Sequence, residues 1–221
     1  MQYMYYVLLG IVSYFLGNVS GARIVAKTKK SDITSSGRGN PGTLNVWRTF
    51  GFWPGIFTFV FDALKGVVPT LLAYLTFGYL GCEIEIAVFI AGFSVILGHI
   101  FPVIFKFKGG KGIATSVGVF IVINWWVSLI AFGVMIIGML FIKYASIFTI
   151  GYVIAMSIVE ICIMNPALWI NYILISGILF LVVWAHRSNL VRLFKGQENK
   201  TELLAMLKTI CKKSKKKDND I

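Results

Sequence analysis

Seven apolar stretches, separated by polar connections, organise this chain: residues 3–22, 52–75, 85–104, 112–124, 126–142, 147–164 and 167–185. Crossing about 30 Å of hydrocarbon takes roughly 20 apolar residues in a helix. Six of the stretches reach or approach that length, and 112–124 falls short. It reads either as a half-helix or as one arm of a bent hairpin shared with the next stretch through Asn124-Trp125-Trp126. Six and seven spans are both open, and seven is preferred because it keeps the basic C-terminal tail on the same side as the other basic loops. The pattern predicts an all-α polytopic integral membrane protein. Residues 1–200 form one membrane domain and 201–221 a flexible tail.

Charge supplies the orientation. Lys and Arg fall in the first connection (Arg23, Lys27, Lys29, Lys30, Arg38, Arg48), the third (Lys106, Lys108, Lys111) and the fifth (Lys143), with ten more between Arg187 and Lys217. Even-numbered connections carry none, and the second holds Glu83 and Glu85. The positive-inside rule makes the odd loops cytoplasmic and the N-terminus external. A net charge of +12 on a chain that is 57% hydrophobic is then explained by topology and by contact with anionic lipid rather than by nucleic acid. The run Lys212-Lys213-Ser214-Lys215-Lys216-Lys217 reads as a lipid-facing polybasic end. Cys82, Cys162 and Cys211 match no metal-ligand spacing, and nothing in the sequence calls for a bridge between Cys82 and Cys162. No metal or cofactor is implied. The first stretch lacks a basic leader and a small-residue cleavage site, and so reads as a retained span. There is no internal repeat of the kind secondary transporters carry.

Three basic, glycine-rich elements lie on the predicted inner face. They are Gly37 to Arg48 (GRGNPGTLNVWR), Gly98 to Thr115 (GHIFPVIFKFKGGKGIAT) and His186 to Lys200 (HRSNLVRLFKGQENK). Each combines cations with neutral hydrogen-bonding groups, the set that a cluster of phosphate oxygens requires. Gly37, Gly39 and Gly42 are expected to turn the backbone with positive φ and let it approach a ligand. Gly109-Gly110-Lys111-Gly112 would present Lys111 and free amides at the start of a helix, where the dipole favours an anion. It is not a nucleotide-binding P-loop, because the spacing GxxxxGK[ST] is absent and no strand precedes it.

Together these elements resemble the acyl-phosphate:glycerol-3-phosphate acyltransferase family of bacterial membranes. The family's GSGNxGATNxxR is matched by Gly37, Gly39, Asn40, Gly42, Asn45 and Arg48. Its GHxFPxxxxFxGGKGxAT is matched by Gly98, His99, Phe101, Pro102, Phe107, Gly109, Gly110, Lys111, Gly112, Ala114 and Thr115. Its HRxNxxRLxxGxEN is matched by His186, Arg187, Asn189, Arg192, Leu193, Gly196, Glu198 and Asn199. Asp62 to Gly66 looks like its DxxKG, and Tyr144-Ala145-Ser146 like its YVS. The chain departs from the pattern at Arg38, where the family has Ser, at Leu44, where it has Thr, and at Gly17-Asn18-Val19-Ser20, where it has GSIP.

The resemblance implies transfer of a fatty acyl group from acyl phosphate to glycerol-3-phosphate, giving lysophosphatidate and phosphate at the inner face of the bacterial plasma membrane. It implies a substrate site drawn from Arg38, Asn40, Asn45, Arg48, Gly109, Gly110, Lys111, Ser146, His186 and Asn189, with His99, His186 and Lys111 as catalytic candidates. The general base is open between His99, His186 and the substrate's own phosphate. For His99, a structural hydrogen bond to kinked backbone is an equal reading. With Arg38 replacing a hydroxyl, the alternative function is a relative that binds phosphate or lipid without this activity. Asp62 and Lys65, at i and i+3 in a span, are expected to pair, because an unpaired charge in hydrocarbon is costly. Glu160 is expected to face the bundle interior, and Trp125 and Trp126 to be interfacial anchors.

Overall fold

The computed structural model describes residues 1–201. Ten α-helices build it: α1 (Gln2–Asn18), α2 (Gly21–Thr28), α3 (Thr43–Phe50), α4 (Phe52–Thr76), α5 (Ile84–Ile100), α6 (Ile113–Ile123), α7 (Trp125–Phe141), α8 (Ala145–Ile163), α9 (Trp169–Ala185) and α10 (Arg187–Phe194). The described residues include no strand.

Four helical stretches are long and apolar enough to cross a membrane by themselves: Gln2–Thr28, Phe52–Leu80, Ile84–Phe105 and Ala145–Ile163. A fifth is the pair α9 and α10, bent by 57° at His186. The predicted short stretch is short: α6 has 11 residues, about 16 Å of helix at 1.5 Å per residue. Asn124 alone divides it from the 17-residue α7. Large apolar side chains cover the outer faces, among them Val7, Ile11, Leu64, Leu72, Ile130, Ile137 and Phe180, each at least half exposed. Water would make that surface costly, whereas lipid tails are its natural solvent. Trp125 and Trp126 are also exposed, as expected of anchors.

Lipid-embedded helices associate through close packing, which favours small residues at their crossings. α1 crosses α5 so tightly that a Cβ on Gly98 would lie 2.0 Å from the Tyr14 carbonyl oxygen. α4 crosses α6 in the same way, with a Cβ on Gly118 falling 2.0 Å from the Ala63 carbonyl oxygen. The main apolar core fills the space between α5, α6, α8 and α9 around Phe120, Ile96, Met156, Ile175 and Ile178.

The first stretch is not one helix. It breaks at Val19–Ser20, and the break is held by Asp62 and Lys65 of α4, which form the expected pair at 3.0 Å. Lys65 Nζ also donates to the carbonyls of Gly17 (3.1 Å) and Val19 (2.6 Å), while the N–H of Gly21 donates to Asp62 Oδ1 (3.2 Å). One ion pair therefore caps the end of α1 and the beginning of α2, groups that a continuous helix would have satisfied internally. Glu160 is buried as expected. Cys82 and Cys162 are free thiols.

Candidate active site

The three glycine-rich elements meet at one end of the bundle. In the first, the loop before α3 turns on Gly37 (φ +59°) and Gly39 (φ +68°), as expected. Gly42 does not: it is extended at φ −147° and stands at the N-cap of α3. Asn45 organises the turn from inside. Its Oδ1 accepts the N–H of Arg38 (2.8 Å), and its Nδ2 donates to the carbonyl of Ser36 (3.0 Å). Those bonds commit the Asn45 amide to the loop, so it acts on a ligand through the backbone it holds. Asn40 is half-buried in the same loop.

The second element carries Lys111. Gly110 donates its N–H to the His99 carbonyl (3.1 Å), and the backbone passes so close to His99 that a Cβ on Gly109 would sit 2.1 Å from that oxygen. Only glycine fits there. Gly112, at φ +85°, then starts α6, so Lys111 stands immediately before a helix N-terminus. His99 itself lies beneath the loop with its ring against Gly110, and its Nδ1 is 4.0 Å from Asp62 Oδ1. The ring thus lies between the Asp62–Lys65 pair and the Gly110 backbone, and its buried Nδ1 has no hydrogen-bond partner among the described residues.

The third element folds back on itself. α10 ends at Lys195, Gly196 takes φ +66°, and the chain reverses so that Glu198 returns onto α10 and α8. Glu198 is buried and accepts from Ser146 Oγ (2.9 Å), Asn189 Nδ2 (2.7 Å) and Arg192 Nε (3.0 Å). Burial pushes its carboxyl up, and those three donors outweigh burial and hold it below the usual carboxylate range. Asn189 Oδ1 in turn accepts from Lys111 Nζ. A continuous bonded path thus joins Ser146, Glu198, Asn189 and Lys111, from three separate parts of the chain.

His186 sits in the bend between α9 and α10. Its Nδ1 donates to the Val182 carbonyl (2.8 Å), which leaves Nε2 as the lone-pair nitrogen. Thr149 Oγ1 is 3.4 Å from Nε2, but its single proton is aimed at the Ser146 carbonyl (3.2 Å). Asn189 follows on the first turn of α10 and donates its N–H to the His186 carbonyl (2.8 Å).

Cations outnumber anions here. Among the described residues, Arg38, Arg48, Lys111 and Arg192 all act electrostatically on this region, against the carboxylate of Glu198. Burial, opposed by Glu198 and helped by Arg192, Arg38 and Arg48, brings Lys111 down to about 8. Burial likewise brings Arg48 down to about 10, with Arg38 adding to the shift. Arg48 donates to Thr201 Oγ1 (2.6 Å), and Thr201 is itself buried. Residue 201, placed in the tail by the sequence reading, is therefore part of this cluster, and the rest of the tail (202–221) lies outside the described residues. Leu44 packs on the main apolar core. No group of three or more His, Cys, Asp or Glu side chains among the described residues is placed to hold a metal ion.

Glu198, Arg192, Thr149 and Thr201 were not among the predicted site residues. Glu198 and Arg192 stood inside the third motif, but Glu198 lies nine residues beyond Asn189, a separation that places it opposite Asn189 only once Gly196 has turned the chain. No spacing rule links Thr149 or Thr201 to this end of the bundle.

The fold and the cluster define a helical integral membrane protein with a recessed, cation-rich cradle at one end of its helices. The glycerol-3-phosphate acyltransferase family profile matches residues 7–196. A glycerol-3-phosphate acyltransferase of Finegoldia magna is 38% identical over 202 residues, 90% of this chain and 98% of that protein. One from Shouchella clausii is 40% identical over 195 residues, 86% and 93% of the two chains. Among solved structures, PlsY (YgiH), an integral membrane glycerol 3-phosphate acyltransferase, in its glycerol 3-phosphate form is 33% identical with a TM-score of 0.81, covering 91% of this chain and 98% of that one. Its lysophosphatidic acid form gives a TM-score of 0.80. The chain belongs to the glycerol-3-phosphate acyltransferase family.

Proposed function

We propose that this protein acylates glycerol-3-phosphate, using acyl phosphate as donor and releasing lysophosphatidate and inorganic phosphate at the cytoplasmic face of the bacterial membrane. The observation that supports this most directly is the convergence of Lys111, Arg48 and Arg38 beside Asn189, Ser146 and His186, with Glu198 the one carboxylate among the described residues that opposes them. Such a surplus of partly desolvated cation favours a small, doubly charged anion.

The chemistry follows from what each group can offer. Arg48 and Lys111 hold phosphate oxygens, with Arg38 adding a third cation where related sequences have serine. Asn40 and the Gly109 amide supply neutral donors, the Gly110 N–H holds the loop to the His99 carbonyl, and Asn45 keeps the Arg38 loop in shape. The 1-hydroxyl oxygen of glycerol-3-phosphate attacks the acyl carbonyl carbon. The carbon–oxygen bond to phosphate then breaks, and phosphate leaves with the bonding pair. The hydroxyl proton goes to His186 Nε2, or to a phosphate oxygen of the substrate itself. Asn189 and Lys111 face the charge that develops on the carbonyl and the departing phosphate. Because acyl phosphate is already activated, holding the two reactants together supplies most of the advantage, and no acyl-enzyme is needed. His99 serves in this scheme as the support of the Lys111 loop.

Purified protein given palmitoyl phosphate and glycerol-3-phosphate should release phosphate. Lys111→Ala and Arg48→Ala should each lower kcat/KM at least tenfold, as fits loss of a charged contact worth about 1.5–3 kcal/mol. No release with palmitoyl phosphate or any other acyl donor would instead identify a phosphate- or lipid-binding relative.

A further inference from the structure

A second polar recess lies outside the catalytic cluster. An open cleft of about 640 Å³ runs between α2, the segment that follows it and the loop after α5. That size falls in the range of sites that take small molecules, roughly 300–1,000 Å³. Arg23, Lys27 and Lys30 line it together with Ile24 and Ile104, whose side chains are exposed. None of these residues belongs to the group around Lys111.

Charge in the cleft is unbalanced. Asp32 also lines it, but both of its carboxylate oxygens are taken, Oδ1 by the N–H of Thr34 (2.9 Å) and Oδ2 by the Thr34 hydroxyl (2.7 Å). Arg23 is held rigidly. Its guanidinium stacks over the Phe105 ring, 4.1 Å from the centroid, and Nη2 donates to the Lys108 carbonyl (2.8 Å). That anchoring leaves Arg23 Nε buried with no hydrogen-bond partner. A buried donor without a partner is unfavourable, and an acceptor that reached it would relieve that cost.

The cleft also sits where an apolar surface gives way to a charged one. α2 begins at the break that ends α1, and exposed Val19, Ile24 and Ile104 adjoin the three cations. A free anion has no use for the apolar side, whereas a lipid headgroup has both a phosphate for the cations and chains for the isoleucines. We infer that this cleft is a binding site for the phosphate headgroup of an anionic glycerophospholipid, separate from the site of acyl transfer. Arg23 connects the two, since the carbonyl it grips belongs to Lys108, three residues before Lys111.

Native mass spectrometry of the full-length protein in a nonionic detergent, titrated with phosphatidylglycerol, tests this without reference to acyl transfer. One phosphatidylglycerol should be retained at least tenfold more tightly than phosphatidylcholine. Lys27→Gln with Lys30→Gln should weaken it tenfold or more, while Lys106→Gln with Lys195→Gln, the same charge change at exposed positions outside the cleft, should leave it within twofold. Arg23→Lys keeps the charge but loses the stacked plane and Nε, and should weaken binding several-fold. Equal losses in the two double variants would mean diffuse attraction and overturn the site. Equal retention of phosphatidylcholine would do the same. Displacement of the lipid by millimolar inorganic phosphate would show that the cleft takes free phosphate, against the lipid assignment.

Discussion

Two groups of charges are gathered in this protein, one buried and one half-buried to exposed, and they are built on opposite terms. The first is Asp62 with Lys65, inside the helices. An ammonium has three N–H donors, and those of Lys65 meet Asp62, Gly17 and Val19, at 3.0, 3.1 and 2.6 Å. Its charge is matched and its hydrogen bonds are complete. The second is the group of Arg38, Arg48, Lys111 and Arg192, where one carboxylate faces four cations and Lys111 is driven down to about 8. The first arrangement solves a folding problem, the capping of a broken helix where no water can reach it. The second leaves a surplus that a folded chain alone would not select for, and that surplus marks a place for an anion.

If the inner pair is structural, removing one member should produce the largest effect on stability. Lys65→Met strands Asp62 and two carbonyls, and should cost about 3–5 kcal/mol, read as a large drop in the thermal unfolding temperature in detergent. Asp62→Asn should do likewise, and the double variant should recover part of the loss. Single variants that unfold at the parent temperature would erase the contrast between the two regions.

The second region should respond to pH instead. Lys111 is protonated below about 8 and neutral above it, whereas an ordinary lysine stays charged beyond pH 10. Anion binding to the free enzyme therefore weakens as pH rises through 8, and kcat/KM should fall roughly tenfold per pH unit above that point. Lys111→Arg should lose activity at neutral pH, because the two cations differ in shape, but its alkaline limb should move upward. An unchanged limb in that variant would show that another group titrates there.

The smallest effect belongs to Arg38. Its guanidinium is exposed, and among the described residues it makes no hydrogen bond, so Arg38→Ser removes only a distant cation. KM for glycerol-3-phosphate should rise about two- to fivefold, at the lower end of what one partly screened charge contributes, with the Lys111 limb shifting slightly upward. A faster enzyme would mean that the arginine obstructs the site.

Much of this was legible in the chain. The helical membrane character was, since burial in lipid demands long apolar runs, although four helical stretches and one bent pair, rather than seven, are long and apolar enough to span. So was the Asp62–Lys65 pair, whose i, i+3 spacing puts both on one side of a helix. Arg48, Lys111, His186 and Asn189, singled out by the glycine-rich elements and the family resemblance, lie at one end of the bundle. The errors have local causes. Gly42 was expected to take positive φ by analogy with Gly37 and Gly39, but it begins a helix, where extended backbone serves. His99 stood in the second motif, and its ring lies with Nδ1 4.0 Å from Asp62 Oδ1 and Nε2 against Gly110, an arrangement that spacing does not show.

Composition, hydropathy and loop charge determined by themselves that this is a helical membrane protein with three anion-seeking elements, because those properties add up along the chain. Only the tertiary structure decided that Glu198 links Ser146, Asn189 and Arg192, that Thr201 meets Arg48, and that the His99 ring lies against Gly110. Those contacts join residues up to 153 positions apart, and they depend on how the helices cross and where Gly196 turns the chain. A sequence records which groups are available, and the packing of the helices settles which of them meet.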